Sequence, residues 1–414
     1  MFKLEKAFVL SCLRYFVSQE SISPWLSSVS LQTLNWDWII NICYAHRTLA
    51  SVAYVLMKQN CIHDLNSKTQ KTMQAVLLQW GWLVQKRLNE FEEANRVLEA
   101  AGIKVMLLKG IALNQRLYRD MPYRTMNDID LLVKEDDLDK LCGVLDREGF
   151  QPSHQERVLR YRWHDIIFRE IEQNIAKERK DFRKGGITLD FHWHLNYWIG
   201  KGYVEMDARS VWQEATPLPH LGGNVYLPAP RHFLSHLFIH AAHSYEFRPP
   251  MMIHLLDLLL VLKEFQMKPD DVLNSAIKVS HPSSQERLHQ LIQPLKESFQ
   301  PELPYPAFSR ESKKLFEHFF TWPSQKFDSN FSFRPQDILK YAPSFKARAL
   351  FLLGFFLPNP HYYQKQRAAT FYFTHWFKLA QGFCKQLLKW FESAFVSFRD
   401  FFSHDYKRSW SKLS

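Results

Sequence analysis

Cysteine is scarce in this chain: five residues in 414, at positions 12, 43, 61, 142 and 384, odd in number and without CxxC spacing. That pattern argues against a disulfide scaffold and a zinc knuckle, and suits a reducing cytoplasm. Long apolar runs are missing too. The best stretches, 251–262 and 349–357, fall short of the roughly eighteen residues that a spanning helix needs, so integral membrane insertion is not expected. The first sixteen residues, MFKLEKAFVLSCLRYF, hold a short apolar stretch interrupted by Lys6 and Arg14, with no signal-peptide core. HExxH, the Walker pattern GxxxxGK[ST], internal repeats and low-complexity tracts are all absent.

What is present is the composition of a folded protein: 46% hydrophobic residues in a chain long enough for two or three packed modules. Lysine and arginine number 53 against 42 acidic residues, a net charge of +11. The excess points to an acidic partner such as nucleotide, nucleic acid or an anionic membrane surface, without choosing among them. Four regions are expected: a helical part over 1–95, an α/β core over 96–230, a helical region over 231–340 and an aromatic, basic amphipathic tail over 341–414.

The segment 109–133, KGIALNQRLYRDMPYRTMNDIDLLV, carries the densest chemical signal. Its apolar residues make 127–133 read as a strand, and side chains two apart on a strand share a face. Asp128 and Asp130 then point the same way. Two carboxylates held that close repel unless a cation or proton sits between them, and magnesium is the hard, oxygen-seeking ion that suits them. A bare DxD also occurs in surface turns and caps, a reading its apolar flanks weaken.

A third carboxylate lies in 187–195, ITLDFHWHL, where strand alternation would put Asp190, His192 and His194 on one face, after a turn at Gly185 and Gly186. Upstream, 91–101 reads as a helix that Gly102 stops, and 103–108 as a short buried strand. Lys109 and Gly110 follow directly, and 111–118 reads as a helix. A helix start beside a lysine presents backbone N–H groups and a cation to an anion.

These residues resemble a known family. The stretch LEAAGIKVMLLKGIALNQRLYRDMPYRTMNDIDLLV looks like the nucleotidyltransferase-like family of the DNA polymerase beta superfamily, whose members carry LLKGxAL…LY…R.M.DIDLLV. LDFHWH at 189–194 resembles that family's third-carboxylate strand; LFIHAAH at 237–243 and HLLD at 254–257 resemble its following helical segment, and FLPNPHYY at 356–363 its tail. The resemblance spans 32–367.

It implies an α+β fold, a small mixed β-sheet nucleotidyltransferase core with helices, flanked by helical N- and C-terminal regions. It further implies a transferase that moves a nucleoside monophosphate from an NTP to a hydroxyl, with pyrophosphate released. Asp128, Asp130 and Asp190 would be both catalytic and metal ligands, holding two Mg²⁺ ions, with Mn²⁺ as a substitute. Lys109, Gly110 and Arg124 would bind the nucleotide, and His192, His240 and His243 would line the cleft. The superfamily's Gly-Ser, about a dozen residues before its first aspartate, is replaced here by Gly110-Ile111 at a greater distance, which makes Lys109 the candidate grip on the triphosphate. For Arg124 a bidentate phosphate contact competes with a structural ion pair or a surface position.

The acceptor could be a small molecule, a protein or an RNA. The alternative is a nucleotide-binding but non-catalytic scaffold, docked to membrane through its tail. His232, His236 and His240 fall on one helical stripe, but no HExxH or cysteine partner supports zinc, and cleft-lining or plain packing accounts for them. In the tail, Trp376, Phe383, Leu387, Trp390, Phe391, Phe395, Phe398 and Phe402 recur among basic residues. That suits peripheral contact with anionic lipid, or stacking on single-stranded nucleic acid, with core packing the commoner use of such a stripe. A cytoplasmic protein with peripheral membrane contact is the corresponding expectation for localisation.

Overall fold

The computed structural model describes residues 2–299 apart from 19–21, 23–28, 119–123, 125, 153–164, 171–187, 200–201, 248–250 and 281, together with positions 309, 310, 313 and 320. By compactness the chain divides into Met1–Pro358 and Asn359–Ser414. Every element below belongs to the first unit; the expected amphipathic tail, the motif FLPNPHYY and the turn at Gly185–Gly186 lie outside the described residues.

The N-terminal part is helical. Helices α1 (Lys3–Ser18), α2 (Trp36–Ala45), α3 (Leu49–Lys58) and α4 (Ser67–Ala100) follow one another. Polar caps start two of them: the Asn35 side chain accepts from the Trp38 N–H at 3.0 Å and Asn66 from the Thr69 N–H at 2.9 Å, each satisfying an N–H that the helix leaves orphaned. Helix α3 is buried from Leu49 to Leu56, as expected of a helix apolar all round. Helix α4 instead buries one stripe, including Met73, Val76, Leu77, Trp80, Val84, Phe91, Ala94 and Leu98. It is far longer than the 91–101 segment read from its leucine spacing, because the charged and glutamine-rich stretch before Phe91 hides the stripe.

Gly102 ends α4 at φ +63°, a left-handed position that glycine takes without Cβ strain. Its N–H reaches the Glu99 carbonyl at 2.7 Å and the Ile103 N–H reaches Leu98 at 2.9 Å, closing the helix and turning the chain into the sheet.

That sheet is mixed. Strands β1 (Val105–Leu107), β2 (Ile129–Leu132), β3 (Phe150–Pro152), β4 (Asp165–Glu170), β5 (Thr188–His192), β8 (Thr216–Pro217) and β9 (Val225–Leu227) lie in the order β3-β4-β5-β2-β1-β9-β8. The intervening β6 (Leu195–Ile199) and β7 (Gly202–Met206) pair as a separate hairpin. The β1/β9 and β2/β5 pairs are parallel and the other sheet pairs antiparallel. Val105, Met106, Leu107, Ile129, Leu131 and Leu132 are all fully buried, so the two central strands are covered on both faces. Helices α5 (Lys109–Arg116) and α6 (Leu138–Arg147) follow β1 and β2, and α6 buries Leu138, Leu141, Val144 and Leu145.

A polar clasp joins α4 to the residues that lead into β9. Asn95 and Asn224 exchange side-chain hydrogen bonds at 2.9 and 3.2 Å, and Asn224 also donates to the Ile103 carbonyl at 2.9 Å. Gly222, at φ +127°, closes over this clasp; a Cβ there would lie 2.9 Å from Asn95 Nδ2.

The helices after the sheet are α7 (Ala208–Gln213), α8 (Pro230–Phe247), α9 (Met252–Glu264), α10 (Pro269–Lys278) and α11 (Pro282–Phe299). Helix α8 packs on both β6 and α9. Among the described residues no helix is long and apolar enough to cross a membrane. The architecture is the expected α+β one: a small mixed sheet with helices before and after it.

Two local expectations change. Strand β2 begins at Ile129, so Asp128 stands just before it and is exposed, while Asp130 is inside it. The alternation over 187–195 breaks at Trp193 and His194, which turn the chain from β5 into β6. His194 therefore leaves the face of Asp190 and His192 and comes within 3.7 Å of Glu135.

Candidate active site

Parallel pairing of β2 with β5 sets Asp130 directly opposite Asp190. Neighbouring strands run about 4.8 Å apart, so two carboxylates on adjacent strands stand side by side at the centre of the sheet. They are 5% and 8% exposed, a position that anions hold only when their charge is answered.

Two groups answer it. Lys109 Nζ stands 2.5 Å from Asp130 Oδ1. His192, two residues beyond Asp190 on the same strand face, brings Nε2 to 3.1 Å from Asp130 Oδ1 and 3.5 Å from Asp190 Oδ2. Burial alone would raise the Asp130 pKa, but Lys109 and His192 outweigh it and hold the carboxyl well below the usual range. Burial alone would lower the pKa of Lys109, yet Asp130 with Tyr197, Asp190 and Asp128 keeps it above its ordinary value. His192 is likewise depressed by burial, then carried upward by Asp190 and Asp130. At Asp128 the charge of Asp130 is the main influence and raises its carboxyl.

Asp130, Asp190 and His192 each offer one ligand atom, all within 4.8 Å of one another, the one such group of metal-ligating side chains among the described residues. Two carboxylate oxygens and one imidazole nitrogen suit a divalent cation, magnesium or manganese in particular for an oxygen-rich set. The sequence paired Asp128 with these aspartates; the geometry puts His192 in that cluster and leaves Asp128 beside it at the solvent edge.

Lys109 has φ +45°, a left-handed conformation that costs a side-chained residue about 1–3 kcal/mol. It lies between β1 and the body of α5, and the Leu108 N–H fixes that junction by donating to the Asp130 carbonyl at 3.0 Å. Gly110 is buried, and a Cβ there would sit 3.0 Å from Met126 Cβ. Its lack of a side chain lets α5 approach the run-in to β2.

Arg124, expected as a phosphate donor, is only 8% exposed. Its Nε lies 3.0 Å from both carboxylate oxygens of Asp257, and Nη2 is 2.7 Å from Oδ2. The buried carboxylate takes up the fork, which is the ion-pair reading of this residue rather than the phosphate one. Tyr118 donates to the same Asp257 at 2.9 Å, and Asn114 Nδ2 donates to the carbonyls of Gly110 and Arg124 at 2.9 and 2.8 Å. Asp257 thus ties the end of the lysine-bearing helix to the segment leading into Asp128. Its signal in the sequence was a lone carboxylate within LLDLLL, an apolar run in which a charge needs a partner.

His240 and His243, on α8, are half-buried and surround Tyr197 of β6, with ring centres at 6.1 and 5.4 Å. His236 approaches the same tyrosine, its Nε2 2.7 Å from the hydroxyl. Burial, and then the charge of Lys109, hold both His236 and His240 well below the usual imidazole range.

Residues 32–285 match the family described as uncharacterised nucleotidyltransferase, well over half of the chain. No curated protein matches. Among solved structures, the chain is similar to the antibiotic-resistance factor ANT(2'')-Ia in its solution structure, at 13% identity over 47% of this chain and 91% of that one, with a TM-score of 0.30.

Proposed function

This chain belongs to the uncharacterised nucleotidyltransferase family, and from that premise we propose that it transfers a nucleoside monophosphate from an NTP to a hydroxyl of an acceptor, at the site formed by Asp130, Asp190 and His192. The observation that carries the reading is the register of β2 against β5, which holds two buried carboxylates side by side with Lys109 and His192 against them.

In this reaction the acceptor oxygen bonds to the α-phosphorus, the bond from that phosphorus to the bridging oxygen breaks, and pyrophosphate leaves with the electron pair. Asp130, Asp190 and His192 would hold divalent metal, and exposed Asp128 would add a carboxylate at the same edge. Two magnesium or manganese ions bound there would neutralise triphosphate charge and make the acceptor hydroxyl more acidic. Lys109 supplies the ammonium that answers the phosphates, and its constrained backbone fixes where that charge stands. Asp190 is the carboxylate that takes the acceptor proton. Arg124 works at one remove, with Asp257, by fixing the segment before Asp128. Most of the protein's work is therefore placement and electrostatics.

The test is incorporation of label from each of the four α-labelled NTPs into a cell lysate with Mg²⁺, comparing wild type with Asp130→Asn. Label that appears only with wild type establishes transfer and tags the acceptor. Equal label with both proteins contradicts the reading.

A further inference from the structure

Beside the carboxylate site, five side chains from three elements form one aromatic group. Tyr197 stands on β6, His236, His240 and His243 on α8, and His254 on α9. Tyr197 contacts three of the imidazoles, at ring-centre distances of 5.4–6.1 Å, and His240 meets His254 edge-on at 5.7 Å. His240, His243 and His254 are half-buried, so the group reaches solvent through its imidazoles. Among the described residues it is not one of the metal-ligating groups, which are confined to Asp130, Asp190 and His192.

One member carries an unmet demand. His236 is 1% exposed, its Nε2 is bonded to the Tyr197 hydroxyl, and its Nδ1 has no hydrogen-bond partner among the described residues. Leaving a buried polar atom unsatisfied typically costs about 1–3 kcal/mol.

Tyr197 lies five residues beyond His192, on the strand that the turn at Trp193 and His194 leads into, so the group adjoins the carboxylate site, and the charge of Lys109 helps to hold His236 and His240 below the usual imidazole range. The site therefore has polarity: a cation and two carboxylates on one side, and aromatic rings with ring nitrogens on the other. A nucleotide has the matching polarity, a flat neutral base tethered to a polyanion.

We propose that His240, His243 and His254, backed by the buried ring of Tyr197, form the surface on which the nucleobase of the NTP stacks, with Lys109 marking its phosphate end. The inference rests on the transfer reading and deepens it by assigning part of the substrate to named residues. Stacking tolerates any base, since every base has a π-face, so the surface supplies affinity for nucleotides as a class.

The experiment separates base from phosphate. Calorimetry in Mg²⁺ measures binding of ATP, GTP and inorganic tripolyphosphate to wild type, to His240→Ala with His243→Ala, and to His254→Ala, which changes the other helix. Thermal melting reports whether each variant is folded. The expected result is that wild type prefers NTP to tripolyphosphate, and that the variants lose about tenfold or more in NTP affinity with tripolyphosphate affinity unchanged. Folded variants with wild-type NTP affinity, or an equal loss for both ligands, overturn the assignment. Wild type that binds both ligands equally overturns the stacking surface alone, whereas wild type that binds neither overturns the transfer reading with it.

Discussion

Arg124 and Asp257, 133 residues apart in sequence, form a buried two-point ion pair with contacts of 2.7 and 3.0 Å. Such a pair contributes little net stability but is expensive to break, because the surviving charge is left without compensation. Asp257→Asn is expected to cost about 3–5 kcal/mol in denaturant unfolding. Replacing both partners by apolar residues, Arg124→Met with Asp257→Leu, should recover much of that loss. If the pair also fixes the run-in to Asp128, the double variant will fold yet transfer more slowly. Wild-type rates in a folded double variant would reduce the pair to a structural role.

Lys109→Met removes the cation nearest Asp130 and leaves two buried carboxylates with His192 alone. The variant is expected to melt below wild type in EDTA and to gain more than wild type when Mn²⁺ is added, because the ion takes over the neutralising role. At a hundredfold excess over its dissociation constant, a ligand adds about 2.7 kcal/mol. An Mn²⁺-induced shift in melting temperature that is absent from both proteins would argue against a metal site there.

The contribution of His236 and His240 to stability should fall on mild acidification. His236 and His240 titrate below the ordinary imidazole value, so in the window beneath about pH 6.5 the unfolded chain takes up protons that the folded one refuses. The penalty is absent above that pH, grows as pH falls towards the folded pKa values, and then levels off, at about 1.4 kcal/mol per pH unit for each group. The charged and titratable groups acting on this pair are Lys109, His192, Asp130, His243 and His254, with Tyr197 bonded to His236. His236→Gln should flatten the dependence measured by denaturation from pH 7.5 to 5; an unchanged slope would show that His236 does not supply it.

Gly110→Ala tests whether α5 must touch the segment before β2. Alanine gains roughly 1 kcal/mol of helix propensity. Its Cβ would, however, stand 3.0 Å from Met126 Cβ, an atom too near the backbone to swing aside. A net loss of about 1 kcal/mol is expected, since overpacking usually costs 1–3. Increased stability would mean that the contact yields easily.

Much of the carboxylate site could be read from the chain. Strand alternation with an apolar flank singled out Asp130 and Asp190, and the α+β order followed from a helix, a short buried strand, Lys-Gly and a second strand. The role of His192 was only half visible: spacing put it on the face of Asp190, while its contact with Asp130 depends on which strands are neighbours. For Arg124 the sequence left a phosphate contact and a structural ion pair open, because its partner Asp257 lies in a distant helix and no local pattern announces a tertiary ion pair. Tyr197, and with it the hydrogen bond to His236, was missed for a related reason. The hairpin that carries Tyr197 begins where alternation breaks at Trp193 and His194, and only packing against α8 brings the imidazoles to it.

Mg²⁺-dependent pyrophosphate release by purified wild type and by Asp130→Asn, supplied with each NTP and the tagged acceptor, tests the account most directly. It predicts release that requires metal and acceptor and falls by several orders of magnitude in the variant, with the variant's circular dichroism unchanged. Equal release by a folded Asp130→Asn protein would contradict it.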